Sequence, residues 1–564
     1  MRKISLIFTI LYFGFSFAQN HLWDFQTTSP IVQSQHIITL SDTDSQGNIY
    51  VAGNYGRFAF PSVNSISFGT ITKTTSATET FRAVVAKLDK NKNVIWVKEI
   101  SSSYGSGITS LVVDKQDNVI IAGYTDGYDL KLDPNSNTIF NTGITESSSY
   151  IVKLNAAGNY IFGNIYNYVA NLLCTVDQNN NIISTGSYVN YPPLANTDFN
   201  PDPAITYNLP APNGIFIMKN NPDGSFGWAR PLHAHNMPAI NCVKVDKNNN
   251  IIVLGNFEAY LKIDNSTFSA GTNVSNRHFL AKFNNTGNLI WYQGLSVYSL
   301  LNSSNSKIDI DNDNNIYTAS SYYDTQTINF PNTTINAPSG GRTIIYKINT
   351  NGHLVWNSLI KGIDAFDFLS IKLNPDNTIN FFVRYMDNTI KVVNGNNNTV
   401  ETVKKLDLGL NYSYLSRNAD TYYLKFRNDG KLIFSKSDFS SFSYSQNIDY
   451  EGNIILAGYY DDYQDFDPDQ DVKIIKYTNG DINGFVQKFG KCYNGTPDGD
   501  KIQTFCSSTS PTIADLSPNT SYTNWYNSPI SLSPLAADTP LQNNIIYYAS
   551  VQDESCPTIL NVLL

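Results

Sequence analysis

Residues 44–53 read Asp44-Ser45-Gln46-Gly47-Asn48-Ile49-Tyr50-Val51-Ala52-Gly53, and the same phrase returns six more times along the chain. It starts again at Asp114 (DKQDNVIIAG), Asp177 (DQNNNIISTG), Asp246 (DKNNNIIVLG), Asp311 (DNDNNIYTAS), Asn374 (NPDNTINFFV) and Asp449 (DYEGNIILAG). The steps between starts are 70, 63, 69, 65, 63 and 75 residues. A near-regular period of this size marks one supersecondary unit used repeatedly, each burying its apolar face against the next. The phrase itself reads as a turn entering a strand. Asp, Asn and Gly tolerate the positive φ of tight turns, and the β-branched run behind them suits a pleated surface.

A second phrase alternates with the first, opening on a lysine and closing on an aromatic nine residues later. The pairs are Lys87/Trp96, Lys153/Phe162, Lys219/Trp228, Lys282/Trp291, Lys347/Trp356 and Lys425/Phe434. A turn such as Asn284-Asn285-Thr286-Gly287-Asn288 lies between them, so each repeat holds two hairpins, or four strands. No stretch shows a sustained helical period. Four-stranded repeats set radially make a β-propeller, which limits exposed sheet edges. The seventh repeat has its lysine, Lys488, but after Phe489-Gly490 no aromatic follows in register. His21-Leu22-Trp23 matches His353-Leu354-Val355-Trp356 in style and precedes the first Asp phrase by a typical interval. The expected fold is therefore all-β: a seven-bladed β-propeller over residues 19–490, closed by the N-terminal strand. The first hairpin of each repeat would be inner and the Trp/Phe strand outer. An open β-solenoid competes, but gives a split blade no purpose.

The phrases D-x-x-G-N-I-Y-V-A-G and K-L-[DN]-x-x-G-x-x-x-W resemble the SBBP-type β-propeller repeat of secreted bacterial proteins, over about residues 21–490. The resemblance implies the fold and is nearly silent on ligand. Repeat six departs most, with Asn374-Pro375-Asp376 replacing the leading aspartate. In residues 491–564, Cys506, Trp525 and Cys556 suggest a small immunoglobulin-like β-sandwich with one disulfide, Cys506 to Cys556, over a buried Trp. The text TFCSSTSPTIADL…WY…YYAS…CPTILNV resembles the Ig-like modules of secreted Bacteroidetes-type surface proteins.

Met1-Arg2-Lys3, the apolar run Ile4–Phe17 and the small-x-small site Ser16-Phe17-Ala18 read as a signal peptide over residues 1–18, with the mature chain starting at Gln19. The expected location is extracellular or at the cell surface, where disulfides are permitted. No later segment is long and apolar enough to span a bilayer. A net charge of −9, with lysines placed singly, argues against nucleic acid. A monomer is expected. Cys174 and Cys242 precede the Asp phrase by three and four residues, an offset that turns them to opposite faces and favours two buried thiols over a bridge. Cys492 is left odd at the domain junction.

The strongest chemical cluster is Asp461, Asp462, Asp465, Asp467, Asp469 and Asp471, whose alternating carboxylates offer hard oxygen ligands to calcium. Equivalent places hold Phe58-Ala59-Phe60-Pro61, Leu132-Asp133-Pro134-Asn135, Phe199-Asn200-Pro201-Asp202 and Phe330-Pro331-Asn332, so a repeated strand-to-turn corner competes with the metal reading. Asp309-Ile310-Asp311-Asn312-Asp313 imitates the start of an EF-hand loop, but lacks its glycine and closing glutamate, and falls on the repeated turn. His233 and His235 could point the same way on a strand, yet two ligands without a third make a weak metal signal. No Ser-His-Asp order appears, and Ser339-Gly340-Gly341 lacks a phosphate-loop lysine. Trp23, Trp96, Trp228, Trp291 and Trp356 occupy framework positions, so blade-to-blade packing outweighs sugar stacking. Loops between the inner hairpin and the next lysine run longest in repeat six, from Val383 to Lys425, including Asn394–Asn398 and Tyr412-Ser413-Tyr414.

These features point to a secreted or cell-surface binding and adhesion protein, with the propeller as recognition scaffold for polysaccharide or protein. No cofactor is implied beyond possible calcium. An extracellular propeller enzyme acting on polysaccharide is the alternative. The lysine phrase is similar to the tryptophan-docking motif of quinoprotein dehydrogenases, but those have eight blades and here only Thr286-Gly287 keeps their Thr-Gly. A purely structural part of a surface assembly is a third reading.

Overall fold

The computed structural model describes residues 21–31, 34–57, 62–142, 148–189, 197–210, 213–269, 277–297, 307–322, 325–338, 341–361, 365–385, 389–394, 400–404, 420–439, 442–466, 474–490, 503, 505, 510–517, 523–527, 534–542, 545–551 and 560–563. They are all-β, apart from a single 3-10 turn at Ile513–Asp515.

Every Asp phrase closes a hairpin by the same chemistry. Asp44 Oδ1 accepts the backbone amides of Gln46 (3.0 Å) and Asn48 (2.8 Å), and its Oδ2 accepts Asn48 Nδ2 (2.8 Å). Asp177, Asp246, Asp311 and Asp449 repeat the pattern. The fourth residue of each phrase takes a left-handed φ: Gly47, Asp117, Asn180, Asn249, Asn314, Asn377 and Gly452. Only Gly, Asn or Asp stands there, the types that enter this region at least cost.

The hairpins assemble into four-stranded antiparallel groups, one per repeat. The first pairs Gln35–Thr43, Ile49–Gly56, Phe81–Leu88 and Val94–Ile100 in that order. The second follows with Ser106–Val113, Val119–Thr125, Ser148–Leu154 and Tyr160–Asn167. Repeats three and four share one long strand, Phe226–Val245, whose start is the outer strand of one and whose end is the inner strand of the other. Repeats five and six begin at Ile308–Ile310 and Ala365–Leu373. In the last group Phe442–Ile448, Ile454–Asp465 and Ile475–Phe489 are joined by His21–Gln26, from the other end of the chain.

The innermost strands touch in order from Gln35–Thr43 through Ser106–Val113, Val169–Val176, the end of Phe226–Val245, Ile308–Ile310 and Ala365–Leu373 to Phe442–Ile448, which returns to Gln35–Thr43. This closed cycle makes the protein a β-propeller. Apolar cores lie between neighbouring repeats. One joins Tyr50, Val85 and Trp96 of the first repeat to Ile121, Tyr150 and Val152 of the second. Another joins Cys242, Leu254 and Leu280 of the fourth to Ile316, Ile344 and Tyr346 of the fifth. A strand covered on both faces reads as a continuous apolar run, and Val119–Thr125 opens in that way; Ile182–Val189 is buried along most of its length although it carries Ser184 and Thr185. Cys174 and Cys242 are free, buried thiols in separate cores, and burial pushes the Cys174 thiol up to about 12.

A second compact unit contains Cys492–Leu564. Its described part is a three-stranded antiparallel sheet, Thr523–Tyr526, Ile546–Val551 and Leu560–Leu563, with Ile513, Leu516, Trp525 and Tyr547 clustered in a small core. Cys492, Cys506 and Cys556 lie outside the described residues.

Candidate functional site

The alternating Asp and Lys of the two phrases meet as buried ion pairs. Lys87 Nζ lies 3.0 Å from Asp44, Lys153 2.9 Å from Asp114, Lys219 3.3 Å from Asp177, Lys282 2.9 Å from Asp246 and Lys488 2.8 Å from Asp449. Lys347 stands 3.8 Å from Asp311. Burial would raise the Asp114 carboxyl, but Lys153, Asn118 and two backbone amides outweigh it and hold the group below its usual range. In repeat six, Asn374 exchanges amide bonds with Asn380, and Asn380 also meets the Tyr423 hydroxyl.

The lysines and tryptophans also tie each repeat to its neighbour. Trp96 Nε1 and Lys87 Nζ both donate to Ala156 O in the next outer turn, at 3.1 and 3.2 Å. Trp291 donates to Thr350 O at 3.0 Å and Trp356 to Asn428 O at 2.8 Å. Trp23 donates to Lys90 O at 3.0 Å, the same place in the first repeat's outer turn. The turn glycine lies against the preceding tryptophan: a Cβ on Gly430 (φ +85) would come within 2.7 Å of Trp356. These residues are framework.

The hairpin turns within the repeats lie at one end of the ring, and the long connections lie at the other. The turn end is stitched together: Ser45 N donates to Asp117 Oδ1 (2.9 Å), Gln178 N to Asn249 Oδ1 (2.8 Å) and Lys247 N to Asn314 Oδ1 (2.9 Å). It opens on a polar cavity of about 490 Å³, lined among others by Asp309, Asn312, Asn374, Asn377 and Tyr450.

The residue two places before each Asp phrase occupies one register in the innermost strands: Asp42, Val112, Thr175, Lys244, Asp309, Lys372 and Asn447. Asp42 Oδ2 accepts Val113 N at 2.8 Å and its Oδ1 accepts Asn447 Nδ2 at 2.9 Å. Asp309 Oδ2 accepts Leu373 N at 2.8 Å. Burial would lower Lys244, but Asp309, Cys242 and Asp42 outweigh it and raise the ammonium above its ordinary value. Burial and then Lys244 pull Lys372 down. Reading upstream of the repeated phrase reveals this position; reading the phrase alone does not.

At the long-connection end, hairpins fill the loops. Ser65–Phe68 pairs Ile71–Thr74, and Gln326–Asn329 pairs Thr334–Ala337. In repeat six, Thr389–Asn394 and Val400–Lys404 extend the fifth repeat's sheet through Leu354–Lys361. Residues 395–399 and 405–419, with Tyr412 and Tyr414, lie outside the described residues. Tyr104 and Tyr128, 56% and 44% exposed, stand edge to face with ring centroids 6.5 Å apart. Their connections are pinned together by Ser103 N donating to Asp129 Oδ1 at 2.8 Å.

Of the acidic cluster, Asp461 and Asp465 fall in the strand Ile454–Asp465, opposite Ile482 and Ile475, while Asp467, Asp469 and Asp471 lie outside the described residues. Among the described residues no three metal-capable side chains converge. At the milder corners Leu132 and Phe199 plug the inter-repeat core, and Asp133 and Asp198 cap the turns. Asp311, in the EF-hand-like stretch, is spent on amides and Lys347. His233 lies opposite Lys262 and His235 opposite Glu258 on either side of a bulge, so the regular alternation assumed for them is broken. Ser339 and Gly340 are outside the described residues.

No protein-family model matches the chain. An uncharacterized WD repeat-containing protein of Acanthamoeba polyphaga mimivirus is 22% identical over 478 residues, which is 71% of this chain and 34% of that protein. The chain thus spans about a third of the curated relative it matches. Among solved structures, the Dos1 propeller aligns over 83% of this chain and 95% of its own, with 8% identity and a TM-score of 0.39. A protein of unknown function from Dyadobacter fermentans covers 83% and 99%, with 11% identity and a TM-score of 0.31. The extracellular domain of BT4673 from B. thetaiotaomicron covers 96% and 98%, with 9% identity and a TM-score of 0.18. Strand pairing and the closed cycle of inner strands define the propeller.

Proposed function

We propose that the chain is an exported seven-bladed propeller followed by an immunoglobulin-like sandwich, and that it acts as a secreted or surface-displayed binding protein for polysaccharide or another surface protein. Trp23 in the framework position of the other tryptophans supports an N-terminal strand that completes the seventh blade. The buried Trp525 supports a sandwich clasped by Cys506 and Cys556. The basic start and apolar run at residues 1–18 support export.

One observation carries the binding reading. The long connections, set on a rigid ring, hold the Tyr104–Tyr128 pair outward on two loops fixed by Asp129. Tyrosines offer large, amphipathic contact area at low conformational cost, and loops on a rigid scaffold are where recognition concentrates. The Asp461–Asp471 stretch, on the seventh repeat's equivalent connection, would add calcium to that end.

The test is a glycan and polysaccharide array probed with the full chain, in calcium and again in chelator, beside the Tyr104→Ala/Tyr128→Ala variant. Binding that weakens roughly tenfold or more in the variant, a loss of about 1.4 kcal/mol, supports recognition at this end. Calcium dependence makes the acidic stretch a site; its absence leaves a turn. Capture of no glycan and no surface protein by the full chain overturns the reading.

A further inference from the structure

The amide bonds that join neighbouring inner turns do not run the whole way round the ring. In successive steps the second residue of an Asp phrase donates its backbone N–H to the side chain of the fourth residue in the next repeat: Ser45 to Asp117, Lys115 to Asn180 (3.2 Å), Gln178 to Asn249 and Lys247 to Asn314. Among the described residues, the steps from repeat five through six and seven back to one lack that bond. Asn312 N makes no hydrogen bond to the Asn377 carboxamide. Pro375 has no N–H to give, and Gly452 and Gly47 have no side chain to receive one. The cavity of about 490 Å³ lies on this arc, with its lining drawn from the Asp phrases of repeats five, six, seven and one and the residues just before them.

Where those bonds are missing, hydrogen-bonding capacity is left over. The Asn377 carboxamide offers both donors and an acceptor, and Asn312 N offers a donor. Asp309 offers Oδ1, since only its Oδ2 receives Leu373 N. The other carboxylates of the lining are spent. Asp44, Asp311 and Asp449 each take turn amides and are each balanced by a lysine, Lys87, Lys347 and Lys488. A cation would meet Asp309 but also unspent N–H donors, and an anion would meet the donors but also Asp309. A hydroxyl both donates and accepts, so an uncharged ligand with several hydroxyls satisfies all three groups. Tyr450 adds an apolar surface beside them, 53% exposed. Its ring lies against Gly47, where a Cβ would come within 2.6 Å of it, and its hydroxyl donates to Glu451 Oε1 at 2.8 Å. The volume falls within the range of about 300–1,000 Å³ of small-molecule sites, which are mostly apolar; the polar lining here suits a polar ligand.

We propose that the turn end of the ring binds a small neutral sugar on this arc. The Asn377 carboxamide, Asn312 N and Asp309 Oδ1 meet its hydroxyls, and the Tyr450 ring meets its C–H face. The site lies at the opposite end from Tyr104 and Tyr128, and neither reading depends on the other.

The experiment is saturation-transfer NMR on the full chain, titrated with the methyl glycosides of glucose, galactose, mannose and N-acetylglucosamine. Wild type is expected to bind at least one of them saturably. Asn377→Gly removes the carboxamide while keeping the left-handed turn that Gly47 and Gly452 make in repeats one and seven. Tyr450→Ala removes the exposed ring. Each should weaken binding roughly tenfold, and Tyr104→Ala/Tyr128→Ala should leave it unchanged. Melting profiles unchanged from wild type in Asn377→Gly separate lost binding from lost fold. Absence of saturable binding to all four glycosides overturns the proposal. So does binding unchanged in either Asn377→Gly or Tyr450→Ala, or binding lost in the Tyr104→Ala/Tyr128→Ala variant, which would assign the sugar to the loop end.

Discussion

Asp114→Ala should be among the more damaging single changes in the ring, and its cost can be worked from the contacts. The Asp114 side chain is fully buried and receives Lys153 Nζ at 2.9 Å, with Lys153 itself 3% exposed. It also accepts the Gln116 and Asn118 amides, each at 2.9 Å, and Asn118 Nδ2. Removing the carboxylate strands the ammonium, at a cost of about 3–5 kcal/mol for breaking a buried pair from one side. Two turn amides lose their acceptor as well, each worth about 1 kcal/mol. Lys153→Met leaves a carboxylate still satisfied by amides and should cost less. In the double variant the ammonium is no longer left unpaired, while the two turn amides still lack their acceptor, so a coupling of about 1–3 kcal/mol should return. Chemical denaturation of wild type, both single variants and the double variant measures it. The sign with pH is fixed. The folded carboxyl lies below its ordinary value of 3.8, so its stabilisation is present above that pH and is lost as pH falls through the lower folded value. Asp114→Asn should lack that acid-dependent loss. Additive single-variant costs, with coupling under about 0.5 kcal/mol, would refute the reasoning.

Further outcomes follow from other contacts. Trp23→Ala removes the bond to Lys90 O and should destabilise the ring by on the order of 3 kcal/mol in the same denaturation assay. Gly430→Ala puts a Cβ 2.7 Å from the Trp356 ring at φ +85 and should cost about 1–3 kcal/mol, read as a shifted denaturation midpoint. His36 is buried between Thr27 Oγ1 and Ser65 O, and burial lowers it from 6.5 to about 4. The unfolded chain therefore takes up a proton that the folded ring refuses. Stability is full above pH 6.5 and falls by on the order of 3 kcal/mol toward pH 4; His36→Gln should flatten that slope in pH-dependent melting.

Much of the fold was legible because the repeat exposes it. Asp44 and its counterparts announce the turn, since a left-handed fourth residue admits few types, and Trp23 announces the closing strand by sharing the framework place of Trp96 and Trp356. The link between the two phrases was less legible. Asp114 and Lys153 are 39 positions apart in the numbering, and only strand pairing brings them together. Their joint recurrence was the available signal. Asn374, noted as a departure, takes on meaning only beside Asn380 and Tyr423, which replace an ion pair with amide and hydroxyl contacts. The loop hairpins were missed because Ser65–Phe68 and Thr389–Asn394 are too short to impose a period. The channel wall was missed for another reason: Asp42, Lys244, Asp309 and Lys372 vary in type at a fixed register, so a search for similarity passes over them. The alternation assumed for His233 and His235, already weak as a metal signal, fails because a bulge resets the register between them.

The central claim is that residues 21–26 complete the last repeat and close the ring. Amide hydrogen exchange over His21–Gln26 tests it most directly, with Ile475–Phe489, the strand it pairs, as the internal reference. The account predicts protection in residues 21–26 approaching that of the partner strand, and its loss from both strands in Trp23→Ala. Exchange at the rate of an unpaired chain, with the partner strand unaffected by the substitution, would contradict it.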